Sequence, residues 1–172
     1  MLNTTTFQPY PDYWIGYGFN RFVGPEVLSA TTTSKEQPTG LNNTLRVYAH
    51  CAAPVPEDGA SPSGDVIVFW SSASVVDTYN LTIAIGAGAG GSVTSGDLYR
   101  LSPGGGDLYS PDMELNGQVL KLGANDELPA FDPVHEEPQG DGSVQVTVPP
   151  MGTGWVVLKG ANAAACSTGK GA

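Results

Sequence analysis

Glu114, the pair Asp126-Glu127 and the pair Glu136-Glu137 are the carboxylates whose grouping invites a search for chemistry. Two carboxyls held about 5 to 9.5 Å apart, one of them kept protonated by its surroundings, can cleave a glycosidic bond. Glu114 falls beside a hairpin signal and the two pairs fall in loop-like stretches, with no flanking pattern that would bury them. They read as solvated surface charge, and no residue of the chain is assigned a catalytic role.

The remaining candidates are few. His50 stands next to Cys51, and His135 lies in the loop-like Pro133-Val134-His135-Glu136. A nucleophile and base would need Cys51 as a free thiol, so packing or surface hydrogen bonding is the better reading for both histidines. Neither Cys51 nor Cys166 has a second ligand at C-x-x-C or C-x-x-H spacing, which argues against a metal site. The two form a disulfide or stay inert core thiols.

Gly88-Ala89-Gly90-Gly91 is followed by neither a lysine in Walker order nor a helical pattern, so a loose hairpin tip is expected rather than a phosphate cradle. The metalloprotease H-E-x-x-H, the G-x-S-x-G elbow and the dinucleotide fingerprint are all missing. Trp14, Trp70 and Trp155 could stack on sugar rings. Trp70 sits in an apolar strand and Trp155 enters another after a turn, which favours the core. No cofactor and no metal are expected.

The elements that would position these residues are mostly strands. The 172 residues suit one domain, and 23 glycines and 14 prolines suit a fold with many turns. A net charge of −10 repels a polyanion such as nucleic acid over most of the surface. Pro11 to Gly24 is expected to form one helix of about three turns, with Asp12 capping its start and Gly24 its end. Its apolar residues cover most sides, so it is expected to be buried against a partner surface that this chain does not wholly supply.

Beyond a Thr/Ser/Pro-rich linker the period changes. Leu45, Val47, Ala49 and Cys51 share one face of a strand, and Arg46, Tyr48 and His50 share the other. Further strands are predicted over 65–71, 75–85, 98–101, 144–148 and 155–158. Asn116-Gly117 between Met113-Glu114-Leu115 and 118–122 is the strongest hairpin signal. About eight short strands with frequent turns predict an all-β class and an antiparallel β-sandwich.

Compartment signals are mixed. Asn3, Asn42 and Asn80 begin N-x-[ST] sequons, candidate glycosylation sites in a secretory compartment. The first residues lack the basic and apolar regions of a signal peptide, and no apolar run approaches the roughly 20 residues of a membrane span. The chain is cytosolic, or its true N-terminus lies upstream.

Several words in order carry a resemblance. They are Leu2-Asn3-Thr4-Thr5-Thr6-Phe7, Pro11-Asp12-Tyr13-Trp14, Arg46-Val47-Tyr48-Ala49-His50-Cys51, Leu115-Asn116-Gly117 with Leu120-Lys121-Leu122, Leu128-Pro129 and Ala163-Ala164-Ala165-Cys166. In this order and spacing they resemble the C-terminal part of heparanase and heparanase-like proteins of glycoside hydrolase family 79, with the plant and algal branch closest. The resemblance implies a β-sandwich accessory domain preceded by the last helix of a (β/α)8 barrel. Residues 1–30 would be the barrel remnant, 31–43 a linker, 44–166 the sandwich and 167–172 a tail.

The resemblance also implies a disulfide between Cys51 and Cys166, tying the first sandwich strand to the end of the chain. The family's catalytic glutamates lie on barrel strands upstream, so no catalytic residue carries over and the chain alone is expected to be inactive. Its implied partners are the missing barrel, a segment from the N-terminal part of the full protein and, through the barrel, a glucuronide-containing polysaccharide. Met1 would be an internal methionine, the start of a truncated gene model or the start of a true short product. The implied location is extracellular, at the cell wall or membrane, or in a vacuolar or lysosomal lumen. The alternative is a free-standing carbohydrate-binding or adhesion module.

Overall fold

In the computed structural model, residues 8–31, 44–53, 64–86, 91–107 and 109–167 are described. Helix α1 (Pro11–Phe22) leads directly into strand β1 (Val23–Leu28). Then follow β2 (Leu45–Ala52), β3 (Val66–Ser72), β4 (Tyr79–Ile83), β5 (Ser95–Pro103), β6 (Met113–Leu115), β7 (Gln118–Val119), β8 (Val134–Glu136), β9 (Val144–Val148), β10 (Thr153–Lys159) and the short helix α2 (Ala164–Ser167).

One sheet has eight strands in the order β1-β2-β3-β10-β5-β6-β7, with β8 also on β5, and the second is the pair β4-β9. Every pairing is antiparallel. The expected sandwich is therefore present, with layers of unequal width.

The central strands explain why their sequences read as unbroken apolar runs. In β3, Val66, Val68 and Trp70 join the core under β4-β9, while Ile67 joins a second core under α1. In β10, Val156 and Leu158 face the first core, and Trp155 and Val157 face the second. A strand covered on both faces needs no polar alternation.

Helix α1 is buried by this chain along one stripe rather than on most sides. Trp14, Gly18 and Phe22, spaced by four, are its buried residues, so one stripe meets the sheet. Pro11 occupies the first helical turn, and no side chain caps the start, so Asp12 is not the cap. Gly24 does not end the helix either. It lies in β1, where a Cβ would sit 2.7 Å from the Cys51 carbonyl oxygen.

Two other expectations shift. The predicted strand over 75–85 shrinks to Tyr79–Ile83, because the Ser74 hydroxyl accepts the N–H groups of Val76 and Asp77 and holds a turn there. The loop-like stretch at His135 is instead β8, whose residues Val134 to Glu136 pair with Leu98 to Gly96 of β5. That also places Glu136 on a strand. The Asn116-Gly117 hairpin forms, with φ of 49° and 85°. The glycine-rich tip over 88–91 falls outside the described residues except Gly91.

Cys51 of β2 and Cys166 of α2 form a disulfide with Cα atoms 5.2 Å apart. Beside it, buried Asp65 accepts the Gly160 N–H at 3.1 Å and meets the Lys159 ammonium at 3.3 Å. The chain's late segment is thus held to the sheet covalently and by a hydrogen-bonded charge.

Candidate functional site

Strand register separates the carboxylates that the glycosidic chemistry would need. Glu114 pairs with Ser102 and Glu136 with Gly96 on the same strand β5, six positions apart. That is about 20 Å along the strand, well beyond a working acid and nucleophile pair. Glu114 Oε1 accepts the Gly105 N–H at 2.8 Å, which fixes a turn. Asp126, Glu127 and Glu137 are exposed. Among the described residues, no group of three or more His, Cys, Asp and Glu is placed to hold a metal ion.

The histidines serve packing and pairing. His50 Nδ1 lies 3.3 Å from the Gly24 carbonyl oxygen, and its ring meets Phe19 edge-on at 6.3 Å. With Cys51 in the disulfide, no thiol is left beside it. His135 Nδ1 lies 2.7 Å from Asp97 Oδ1, on the strand pair β5-β8.

Two residues on from Asp97, the Tyr99 ring lies against Phe22 at 4.1 Å. Burial pushes the Tyr99 phenol up to about 12, with Asp97 adding to the shift, Arg21 opposing it and Asp132 adding further. Arg21 also donates to the Tyr17 hydroxyl at 2.9 Å. This end of α1 is a polar rim over an aromatic core.

The three tryptophans are not available for sugar. Trp14 is 1% exposed, and Trp70 and Trp155 are fully buried. What the sequence search missed is a surface made by smaller rings. Phe19 of α1 is 42% exposed and Tyr48 of β2 is 49% exposed. Tyr48 stacks on Phe69 of β3 at 6.2 Å, and Phe69 meets Phe19 edge-on at 6.0 Å. Val27 of β1 and Tyr13 of α1 are exposed as well. The alternation of Tyr48 and His50 against Ala49 and Cys51 was the available signal, but it did not say that α1 would come to rest beside them.

The opposite side has its own opening. Leu28, Leu45 and Val47 of the large sheet, and Tyr79, Leu81 and Ile83 of β4, are only partly buried against the valine core. Thr44 and Tyr79 hydroxyls bond to each other at that margin. Asn80 of β4 is exposed, and its side-chain oxygen accepts the Thr147 hydroxyl at 3.1 Å. Asn3 and Asn42 lie outside the described residues.

No family model matches the chain. It is 32% identical over 161 residues to heparanase from Mus musculus, which covers 93% of this chain and 27% of that protein. It is 31% identical over 168 residues to hyaluronoglucuronidase from Hirudo nipponia, covering 96% and 30%. It is 30% identical over 165 residues to inactive heparanase-2 from Mus musculus, covering 93% and 26%. The chain spans less than a third of the length of these relatives, and the match falls in their C-terminal part. It is heparanase-like over nearly all of its length. Among the described residues, no helix is long and apolar enough to cross a membrane.

Proposed function

We propose that the chain is the C-terminal β-sandwich region of a retaining β-glucuronidase-type hydrolase of glycoside hydrolase family 79, where it braces a catalytic (β/α)8 barrel. The observation that carries this reading is the unfinished helix face. Helix α1 buries Trp14, Gly18 and Phe22 against the sheet and leaves Phe19 exposed against Phe69, beside exposed Tyr48 and Val27. An exposed apolar cluster of this kind marks a surface to be covered, and the barrel is the cover we assign to it. Residues 1–30 then belong to both bodies, with 31–43 as linker and 44–166 as the sandwich.

The role is structural rather than chemical. A region shared by proteins named heparanase and inactive heparanase-2 is not where their names diverge, which supports an accessory part. The described carboxylates on β5's partners are too far apart to work together. The open margin along β4, with Leu45 and Val47 half-covered, suits an added strand from the N-terminal part of the full protein.

The finer assignments rest on the resemblance. We assign the chain to the plant and algal heparanase-like branch on the words quoted above. Its disulfide suits an oxidising compartment, so we assign the full protein to the cell exterior or to a vacuolar or lysosomal lumen. Exposed Asn80 is then a glycosylation site, alongside Asn3 and Asn42.

Purified chain incubated with a fluorogenic β-glucuronide, and titrated separately with glucuronide oligosaccharides, tests the reading. Silence in both assays is expected. Turnover abolished by one Asp or Glu substitution would make the chain a hydrolase in its own right. Millimolar or tighter sugar binding without turnover would make it a binding module.

A further inference from the structure

Asn116 does more than turn the β6-β7 hairpin. Along one edge of β5, pairing with β8 ends at Leu98 and pairing with β6 begins at Leu101. The side chain of Asn116 fills the interval. Its Oδ1 accepts the Arg100 N–H at 3.0 Å, and its Nδ2 donates to the Leu98 carbonyl at 3.0 Å and to the Asp132 carbonyl at 3.2 Å. Its own N–H donates to the Arg100 carbonyl at 2.8 Å. The carboxamide thus takes the place of a peptide unit between two strands, and bonds β5, the hairpin and the approach to β8 together.

The residue that follows is glycine, and that creates a hazard. The Gly117 backbone nitrogen can attack Asn116 Cγ, closing a five-membered succinimide and expelling ammonia. Water then opens the ring to aspartate or isoaspartate, and no other reactant is needed. Gly117 is exposed, and a Cβ there would meet nothing within 4 Å, so nothing shields the turn itself. The restraint comes from the three side-chain hydrogen bonds, which must break before Cγ can swing to the Gly117 nitrogen.

We infer that Asn116 is a latent deamidation site, guarded by the folded β5-β6-β8 junction and able to unpin that junction once converted. Aspartate has no donor for the Leu98 and Asp132 carbonyls, and its carboxylate would face both oxygens. The bond to the Leu98 carbonyl is part-buried, so water makes up for the lost donor only in part. Isoaspartate also lengthens the backbone in a turn whose register sets Glu114 against Val119. Opening of the junction is therefore made permanent by the chemistry that follows it.

The chain is incubated in mildly alkaline buffer, one portion folded and one in urea, and peptide mass spectrometry follows the Asn116 amide. Loss in urea is expected, with the folded portion slower by at least about tenfold, since three hydrogen bonds must open first. Equal rates would overturn the guarded site. Thermal unfolding of Asn116→Asp beside the parent tests the pin. A midpoint several degrees lower, or failure to fold, supports it, and equal midpoints overturn it. The rate comparison uses the unaltered chain and stands whether or not the variant folds.

Discussion

On one face of the eight-stranded sheet the cover is aliphatic and made of strands; on the other it is aromatic and made of a helix and coil. Val144, Val146 and Val148 of β9 close the first against Val66, Val68 and Val156. Trp14, Phe22 and Phe131 close the second against Ile67, Tyr99 and Trp155. β-Branched side chains suit the pleated spacing between two sheets. Large rings suit the wider, irregular space between a sheet and a helix. The strand-covered face is also joined covalently, because Cys51 and Cys166 both belong to its core. The helix-covered face is held by packing and hydrogen bonds, including the Ala53 N–H to the Phe22 carbonyl at 2.8 Å, and it is the face that leaves Phe19 and Tyr48 in the open.

The sharpest way to break this contrast is to remove the covalent joint. The disulfide closes a sequence separation of 115. In the chain-entropy picture that constrains the unfolded chain by on the order of 4 to 5 kcal/mol. Cys51→Ala with Cys166→Ala is expected to lower the urea midpoint by the corresponding amount. An unchanged midpoint would mean that both faces are held by packing to the same degree.

The helix face has a weakness at alkaline pH. Tyr99 titrates at 10.0 when free and at about 12 in the fold, chiefly because it is buried. A raised folded value means that the native state holds its proton longer than the unfolded chain does. Stability from this group is complete below pH 10 and is lost as the pH rises towards about 12. Two units correspond to at most about 2 to 3 kcal/mol. Urea unfolding across that range should show the decline, and Tyr99→Phe should flatten it. A decline of equal size in the variant would put its source elsewhere.

The same contrast decides what could be read from the sequence. β3 and β10 were visible as apolar runs, and the Asn116-Gly117 turn as a dipeptide, because each signal is local. β1 was not, since Gly24-Pro25 reads as punctuation and the strand pairs with β2 through an irregular register between Val23 and Val27. β8 was missed because three residues, Val134 to Glu136, are too few to show a period. Among candidate residues, two cysteines allow one pairing but leave free core thiols open, and it is the resemblance that implies the disulfide the structure contains. The Phe19-Tyr48-Phe69 surface was not legible, because it joins a helix and two strands whose contact is set by tertiary packing.

Two glycines two residues apart in α1 sharpen the comparison at its smallest scale. Both Gly16 and Gly18 cost α1 about 1 kcal/mol relative to alanine on intrinsic propensity. At Gly16 a Cβ would meet nothing within 4 Å, so Gly16→Ala should stabilise the chain by up to about 1 kcal/mol. At Gly18 a Cβ would sit 2.6 Å from the Trp155 ring, which is fully buried and hemmed by Phe22 at 6.0 Å and Phe69 at 5.7 Å. A ring so enclosed cannot retreat cheaply, and overpacking costs typically about 1 to 3 kcal/mol. Gly18→Ala should therefore be destabilising despite the gain in propensity. Opposite signs for the two substitutions in thermal unfolding would show that close approach to Trp155 holds the helix on the sheet. Equal gains would mean that α1 rides loosely over that face, and that packing there is far weaker than the aromatic contacts suggest.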